Sequence, residues 1–226
     1  MNYDWNFSRL EPYAQAFVSG TLLTLILAIT SIVAGTILGV IFGLLMRDAV
    51  MRRILYPLID IVRALPPLVL LLFLYYLLTE KVVGTTVTAF WVAVAGLSLN
   101  LSAFVADLVR AALDNVDPDS VDAARALGMT ERDVMRHIVM PHVVRDVLPG
   151  LTVIYVGILK ATSLAAVINV REVVYTAQTV LAETSRSLEA WIVVACIYIA
   201  LVLPATYAAR QVERVIGRGI RVEEVR

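Results

Sequence analysis

Lys160, Thr162 and Ser163 fall within four residues of an otherwise apolar segment. Asn100 sits in another such segment, between Ser98 and Ser102. A charge inside a membrane span costs from roughly 2.5 to above 10 kcal/mol, so each such group needs a partner or water. The chemistry open to these side chains is non-covalent. An ammonium, two hydroxyls and a carboxamide near mid-span can line a polar path for a zwitterionic solute, with Lys160 meeting its carboxylate. The competing reading is structural: Lys160 pairs with Asp107 or another buried acid and ties helices together. Ser98 and Ser102 are four apart and share a helix face, whereas Asn100 is rotated by about 200° from Ser98. One face therefore does not present all three.

Bond-breaking chemistry finds no footing. The sequence offers no paired carboxylates, metal-ligand cluster or nucleophile elbow. No Gly-Lys dipeptide occurs, which excludes a phosphate-binding loop of the usual kind. His137 and His142 are five apart and do not share a helical face, so interfacial packing is expected of them instead of metal binding. The expectation is a chain with no catalytic residue, no metal and no cofactor of its own.

The elements that must hold these groups follow from composition. The chain has 226 residues, 60% hydrophobic and 17% charged, against roughly 45–50% apolar in a soluble domain. Five segments can cross a hydrocarbon core of about 30 Å: 17–46, 54–79, 86–109, 147–169 and 189–209. The predicted fold is all-α, a polytopic membrane bundle of five transmembrane helices within a single domain, 1–226. The second span is interrupted by Pro66-Pro67, which removes two backbone donors and makes either a gate element or a packed kink. Asp60 and Arg63, at i, i+3, are placed for an ion pair. Gly35, Gly39 and Gly43 form a small-residue stripe, suited to close helix contact unless it simply faces lipid. Phe73, Tyr75, Tyr76 and Trp91 suit an interfacial aromatic belt. The mixed stretch 171–187 is either a surface amphipathic helix or a folded-in segment. Cys196, the only cysteine, is expected to be a small buried hydrophobe. Asp4, Glu11 and the length of the first apolar run argue against a secretory signal.

Charge is balanced overall, with 19 basic and 19 acidic residues, so no nucleic-acid partner is indicated. Its placement is uneven. Thirteen of the nineteen Lys and Arg fall in the three segments on one side of the five spans and four on the other. That bias puts the N-terminus outside and the C-terminus in the cytoplasm.

The longest cytoplasmic segment then runs from about Arg110 to Asp146, and its helix signals are clear. Asp117 suits an N-cap and Pro118 the first helical position, and Asp119 complements the dipole. Val121, Ala124 and Leu127 form an apolar edge. Gly128 stands where a C-terminal glycine belongs. Thr130 caps a second helix, with Asp133 three residues on. Val134, Ile138 and Val139 form its apolar edge, and Pro141 is expected to end it. The result is a helix–turn–helix hairpin at about 117–141, whose bland alternative is an ordered loop packed on the bundle.

The order DAARALGMTERDVMRHIVMP resembles the EAA loop of ABC importer permeases, with matches at Ala123, Ala124, Gly128, Ile138 and Pro141. Asp122 stands for the usual glutamate and Met140 for the usual leucine. The stretches GTLLTLILA from Gly20, RALPPLVLLLFLYY from Arg63, LSLNLSAFVADLVRAAL from Leu97 and LKATSLAAVI from Leu159 are similar to the polar amino acid uptake group (histidine, glutamine, arginine and opine permeases). Ala64 and Leu65 depart from that group's R-G-T-P-L. The resemblance covers about Gly20–Arg214. It implies a bacterial inner-membrane importer in which the loop docks in a cleft of an ATP-binding cassette ATPase dimer, with ATP and Mg on that partner. It also implies a second permease subunit, identical or paralogous, and a periplasmic or extracellular solute-binding protein. Membrane lipid is the remaining partner. The competing function is an independent secondary transporter or channel, with Asp107 or Lys160 coupling an ion. A membrane enzyme is the third.

Overall fold

The structure is a computed structural model that describes the backbone of residues 5–79 and 87–223. Lys81 and Arg226 of the charge count lie outside the described residues, as do the side chains of Arg214, Arg218 and Arg221. Nine α-helices are described: α1 Ala14–Leu45, α2 Ala49–Ala64, α3 Pro67–Thr79, α4 Ala89–Asp114, α5 Pro118–Ala126, α6 Glu131–Val134, α7 Met140–Ala161, α8 Val173–Thr184 and α9 Ser187–Glu223. No strand occurs among the described residues. Four stretches are long and apolar enough to span a membrane, and the α2–α3 pair, broken at Pro66, would make a fifth. The break has a local cause. A residue before proline is pushed out of the helical region, and Pro67 then opens α3 where a missing N–H is harmless.

The exposed surface is that of a chain in lipid. On α1, Val18, Leu22, Ile26, Ile29, Val33 and Ile37 are all exposed. Their spacing puts them on one helical stripe. Such a stripe is costly in water and matched by acyl chains in a bilayer. Phe73, Tyr76 and Trp91 of the expected aromatic belt are exposed as well. Cys196 is also exposed, against the expectation of burial. Lipid is as apolar as a protein core, so hydropathy does not distinguish the two faces of α9.

The chain forms two compact units. One comprises Met1–Ala34, Leu65–Ser98 and Val156–Ala205. Its first core gathers Leu27, Leu71, Val92, Leu97, Ala165 and Ile168. Its second gathers Leu10, Phe17, Val173, Ala177, Val180 and Val194. The 171–187 stretch is therefore folded in: α8 buries Val173, Thr176, Ala177 and Val180. Gly20 allows that packing, because a Cβ there would lie 2.7 Å from Thr176 Oγ1 and 3.1 Å from Val173 Cα. Glu172 is fully buried and caps α8, accepting from the Tyr175 N–H at 3.0 Å and from the Thr24 hydroxyl at 3.3 Å.

The other unit comprises Gly35–Ala64, Leu99–Tyr155 and Thr206–Arg226. Gly39 and Gly43 let α1 approach α4. A Cβ on Gly39 would lie 2.5 Å from Val105 Cβ, and one on Gly43 would lie 2.6 Å from Val109 Cβ. The glycine stripe is thus a contact face at these two positions. Overpacking of this kind costs typically about 1–3 kcal/mol, so Gly39→Ala should lower the melting temperature of the detergent-purified protein. An unchanged melting curve would contradict the contact.

An ion ladder joins α2 to α4 within this unit. Asp60 meets Arg63 at 3.5 Å, Arg63 meets Asp107 at 3.0 Å, and Asp107 meets Arg110 at 2.8 Å. Asp114 then takes both Arg110 and Arg52 at 3.0 Å. The Asp60–Arg63 pair appears as expected. Asp107, offered above as the partner of Lys160 or as an ion-coupling acid, is instead held by two arginines.

Candidate coupling loop and solute cavity

Local hydrogen bonding builds the loop. The Asp117 carboxylate accepts from the N–H groups of Asp119 and Ser120, both at 3.2 Å, and from the Ser120 hydroxyl at 2.7 Å. Three donors satisfied at the start of α5 fix where it begins. They also hold the Asp117 carboxyl below the usual carboxylate range, the Ser120 hydroxyl being the largest cause. The cap's stability is therefore present above the ordinary aspartate pKa and lost as pH falls through the depressed value. Amide exchange at Asp119 and Ser120, corrected for its intrinsic pH dependence, should accelerate in that acid window. Asp117→Ala should show the fast rate at neutral pH.

The α5 helix ends at Ala126, and Gly128 follows with φ +82°. A Cβ at Gly128 would meet nothing within 4 Å. The glycine is thus required for its left-handed backbone and not for space. Thr130 caps α6, accepting from the Asp133 N–H at 3.3 Å, while its hydroxyl donates to the Asp133 carboxylate at 2.6 Å. Across the turn, Arg125 clamps Glu131 at 2.7 Å and also reaches Asp122 at 3.2 Å. Beside the hairpin is a cleft of about 300 Å³ whose walls include Arg47, Asp122, Arg125, Glu131 and Met135.

Two expectations for the loop fail. Leu127 is not part of a packed edge. Ala124 is buried, but Leu127 is 84% exposed, at the tip of the hairpin. Pro141 does not end its helix either. A π turn over Met135–Val139 leads into α7, and the N–H of Met140 reaches the carbonyl of Met135. That i→i−5 step shifts the hydrogen-bond register just before the proline, so the absent donor breaks nothing. Within the hairpin, Ala123 on α5 is exposed and Ile138 in the π turn is half-buried. His137 Nδ1 lies 3.0 Å from the Asp133 carbonyl, and His142 Nε2 lies 3.4 Å from the Asp146 carboxylate.

The cavity is an open groove on the surface of the first unit, where Lys160, Val167, Ile199 and Leu203 are all exposed. It measures about 660 Å³. Lys160, Ser163, Gln178 and Tyr198 supply its polar lining, against Val167, Trp191, Val194, Ile199 and Leu203. Lys160 makes no ion pair among the described residues. Thr162 stands behind the wall: it is fully buried, its hydroxyl donates to the Leu159 carbonyl at 2.7 Å and lies 3.4 Å from the Tyr198 hydroxyl. Lys160 and Ser163 therefore share the cavity and Thr162 supports it. Asn100 is buried and belongs to the second unit. Gln178, Trp191 and Tyr198 are the lining residues that the sequence did not offer. They come from α8 and α9, and only the tertiary packing of these helices brings them to Lys160.

Residues 35–218 match the family of binding-protein-dependent transport system inner membrane components. Two curated relatives span nearly the whole chain. The glutamine transport system permease protein GlnP of Escherichia coli (strain K12) is 26% identical over 95% of this chain and 98% of its own length. The arginine transport system permease protein ArtQ of Bacillus subtilis (strain 168) is 30% identical over 95% of this chain and 97% of its own. Among solved structures, an amino acid ABC transporter crystallised with histidines superposes with a TM-score of 0.84, at 29% identity, over 94% of this chain and 99% of that one. With an all-helical fold, four to five candidate spans and a family match over most of its length, the chain belongs to the binding-protein-dependent transport system inner membrane components, the permease subunits of ABC importers.

Proposed function

We propose that this permease carries a polar amino acid or related zwitterion into the cytoplasm, driven by ATP hydrolysis on a partner ATPase dimer that grips the hairpin at Asp122–Pro141. The observation that carries the coupling is Leu127. A large apolar side chain, 84% exposed, stands at the tip of a hairpin braced by two side-chain caps and the Arg125–Glu131 bridge. A rigid apolar knob with a charged rim is a protein-docking element. Asp122, Ala123, Ala124, Gly128, Ile138 and Pro141 form its frame. The names of the relatives, glutamine and arginine permeases among them, support the cargo class. ATP and Mg would bind the partner alone. A second permease subunit and an external solute-binding protein complete the assembly.

The orientation is N-terminus outside and C-terminus cytoplasmic, which puts the arginine-bearing loops and the hairpin on the ATPase side. The solute path runs past Lys160 and Ser163, with Thr162 behind the wall. Lys160 would take the solute carboxylate.

Reconstitution tests this reading. The purified complex with its binding protein should hydrolyse ATP faster when given glutamine, arginine or histidine outside the vesicle. A permease that transports while isolated without any ATP-hydrolysing chain would be a stand-alone carrier and would overturn it.

A further inference from the structure

The α2 helix has three faces where a soluble amphipathic helix has two. Leu55, Ile59 and Val62 pack inward with Met46, Ala103 and Ala106. Val50, Ile54, Leu58 and Ile61 are 62%, 51%, 54% and 59% exposed. At 3.6 residues per turn they fall within about 80° of one another. The third face carries Arg52, Tyr56, Asp60 and Arg63. Arg53 stands at the border of that polar face and the exposed apolar one.

A groove of about 390 Å³ opens on this border, lined by Ala49, Arg52, Arg53, Tyr56, Pro57 and Arg110. Its lining holds three guanidiniums and no carboxylate. Arg52 and Arg110 both draw on Asp114, and Arg110 also on Asp107. Arg53 is exposed and makes no ion pair among the described residues. The groove therefore carries more positive charge than its neighbours neutralise, and charge complementarity calls for an anion. The exposed strip of Val50, Ile54 and Leu58 beside it calls for hydrocarbon.

We propose that this groove seats the phosphodiester of an anionic phospholipid, with Arg53 as its principal cation and the acyl chains lying along Val50, Ile54 and Leu58. A free anion would satisfy the guanidiniums and leave the strip uncovered. A zwitterionic lipid would cover the strip but bring its own cation to the arginines. An anionic lipid meets both demands, as basic pockets at a bilayer surface generally do. Placement in the cytoplasmic leaflet rests on the orientation proposed above, while the groove's choice of headgroup does not.

Native mass spectrometry tests this on the purified permease–ATPase complex, equilibrated with equal parts of phosphatidylglycerol and phosphatidylcholine. The wild type should retain phosphatidylglycerol in preference. Arg53→Gln should lower that preference about fivefold, the effect of one basic residue near an anionic surface, and Arg53→Lys should keep most of it. Equal retention of the two lipids by the wild type would overturn the proposal, and that comparison needs no variant. So would an Arg53→Gln complex indistinguishable from the wild type, or displacement of the lipid by millimolar inorganic phosphate, which would mark a free-anion site. The leaflet is read separately. Ser120→Cys in a Cys196→Ser background should react with an impermeant maleimide in inside-out vesicles and not in right-side-out ones. The reverse pattern would move the site to the other leaflet and leave the headgroup preference standing.

Discussion

Leu127→Asp should reduce solute uptake by at least about thirtyfold while leaving the permease folded. Leu127 makes little contact within its own chain, being 84% exposed, so a polar replacement costs the isolated subunit almost nothing. In the proposed complex the same side chain enters a cleft of the ATPase. There a carboxylate loses its water without gaining a partner, which costs about 2 kcal/mol or more, a factor of roughly thirty in occupancy. Uptake into proteoliposomes reads the loss, and the melting temperature of the purified permease reads the unchanged fold. Leu127→Met, apolar and of similar volume, should keep uptake near the wild-type rate. Wild-type uptake by Leu127→Asp would remove the knob from the account.

Lys160→Met should lower uptake roughly ten- to 150-fold and leave assembly with the ATPase intact. The ammonium stands in a mostly apolar cavity of about 660 Å³ and makes no ion pair among the described residues. Removing it therefore breaks no structural bridge. The solute loses a charge-assisted hydrogen bond to its carboxylate, typically about 1.5–3 kcal/mol, or roughly ten- to 150-fold. Lys160→Arg should retain part of the activity. The readouts are uptake of labelled amino acid and solute-stimulated ATP hydrolysis. Normal uptake by Lys160→Met would end the assignment of a carboxylate to this residue.

What could be read from sequence was what is decided locally. The caps at Asp117 and Thr130 and the left-handed turn at Gly128 are settled by neighbours within about four residues, and they stand as expected. The helix break at Pro66-Pro67 is of the same kind. The failures share another cause. Leu127 carries an apolar spacing that would bury it in a closed fold, and only the three-dimensional hairpin leaves it outside. Pro141 looked like a stop because the π turn that absorbs it is a matter of register, invisible in composition. Cys196 was misplaced because lipid and protein interior are equally apolar. The ion ladder of Asp107 and the burial of Glu172 depend on partners tens to more than a hundred residues away. No window along the chain contains them. Gln178, Trp191 and Tyr198 were missed for the same reason: they join Lys160 only through the tertiary packing of α8 and α9.

If the hairpin holds the motor, position 127 lies within cross-linking distance of the ATPase. A single cysteine placed at Leu127 in a Cys196→Ser background, treated with a short thiol cross-linker in the transporting complex, should join the permease to a cysteine lining the ATPase cleft. The yield should change between the nucleotide-free and ATP-bound states. A complex that transports solute at the normal rate but gives no cross-link from position 127 to the ATPase in any nucleotide state would contradict that attachment.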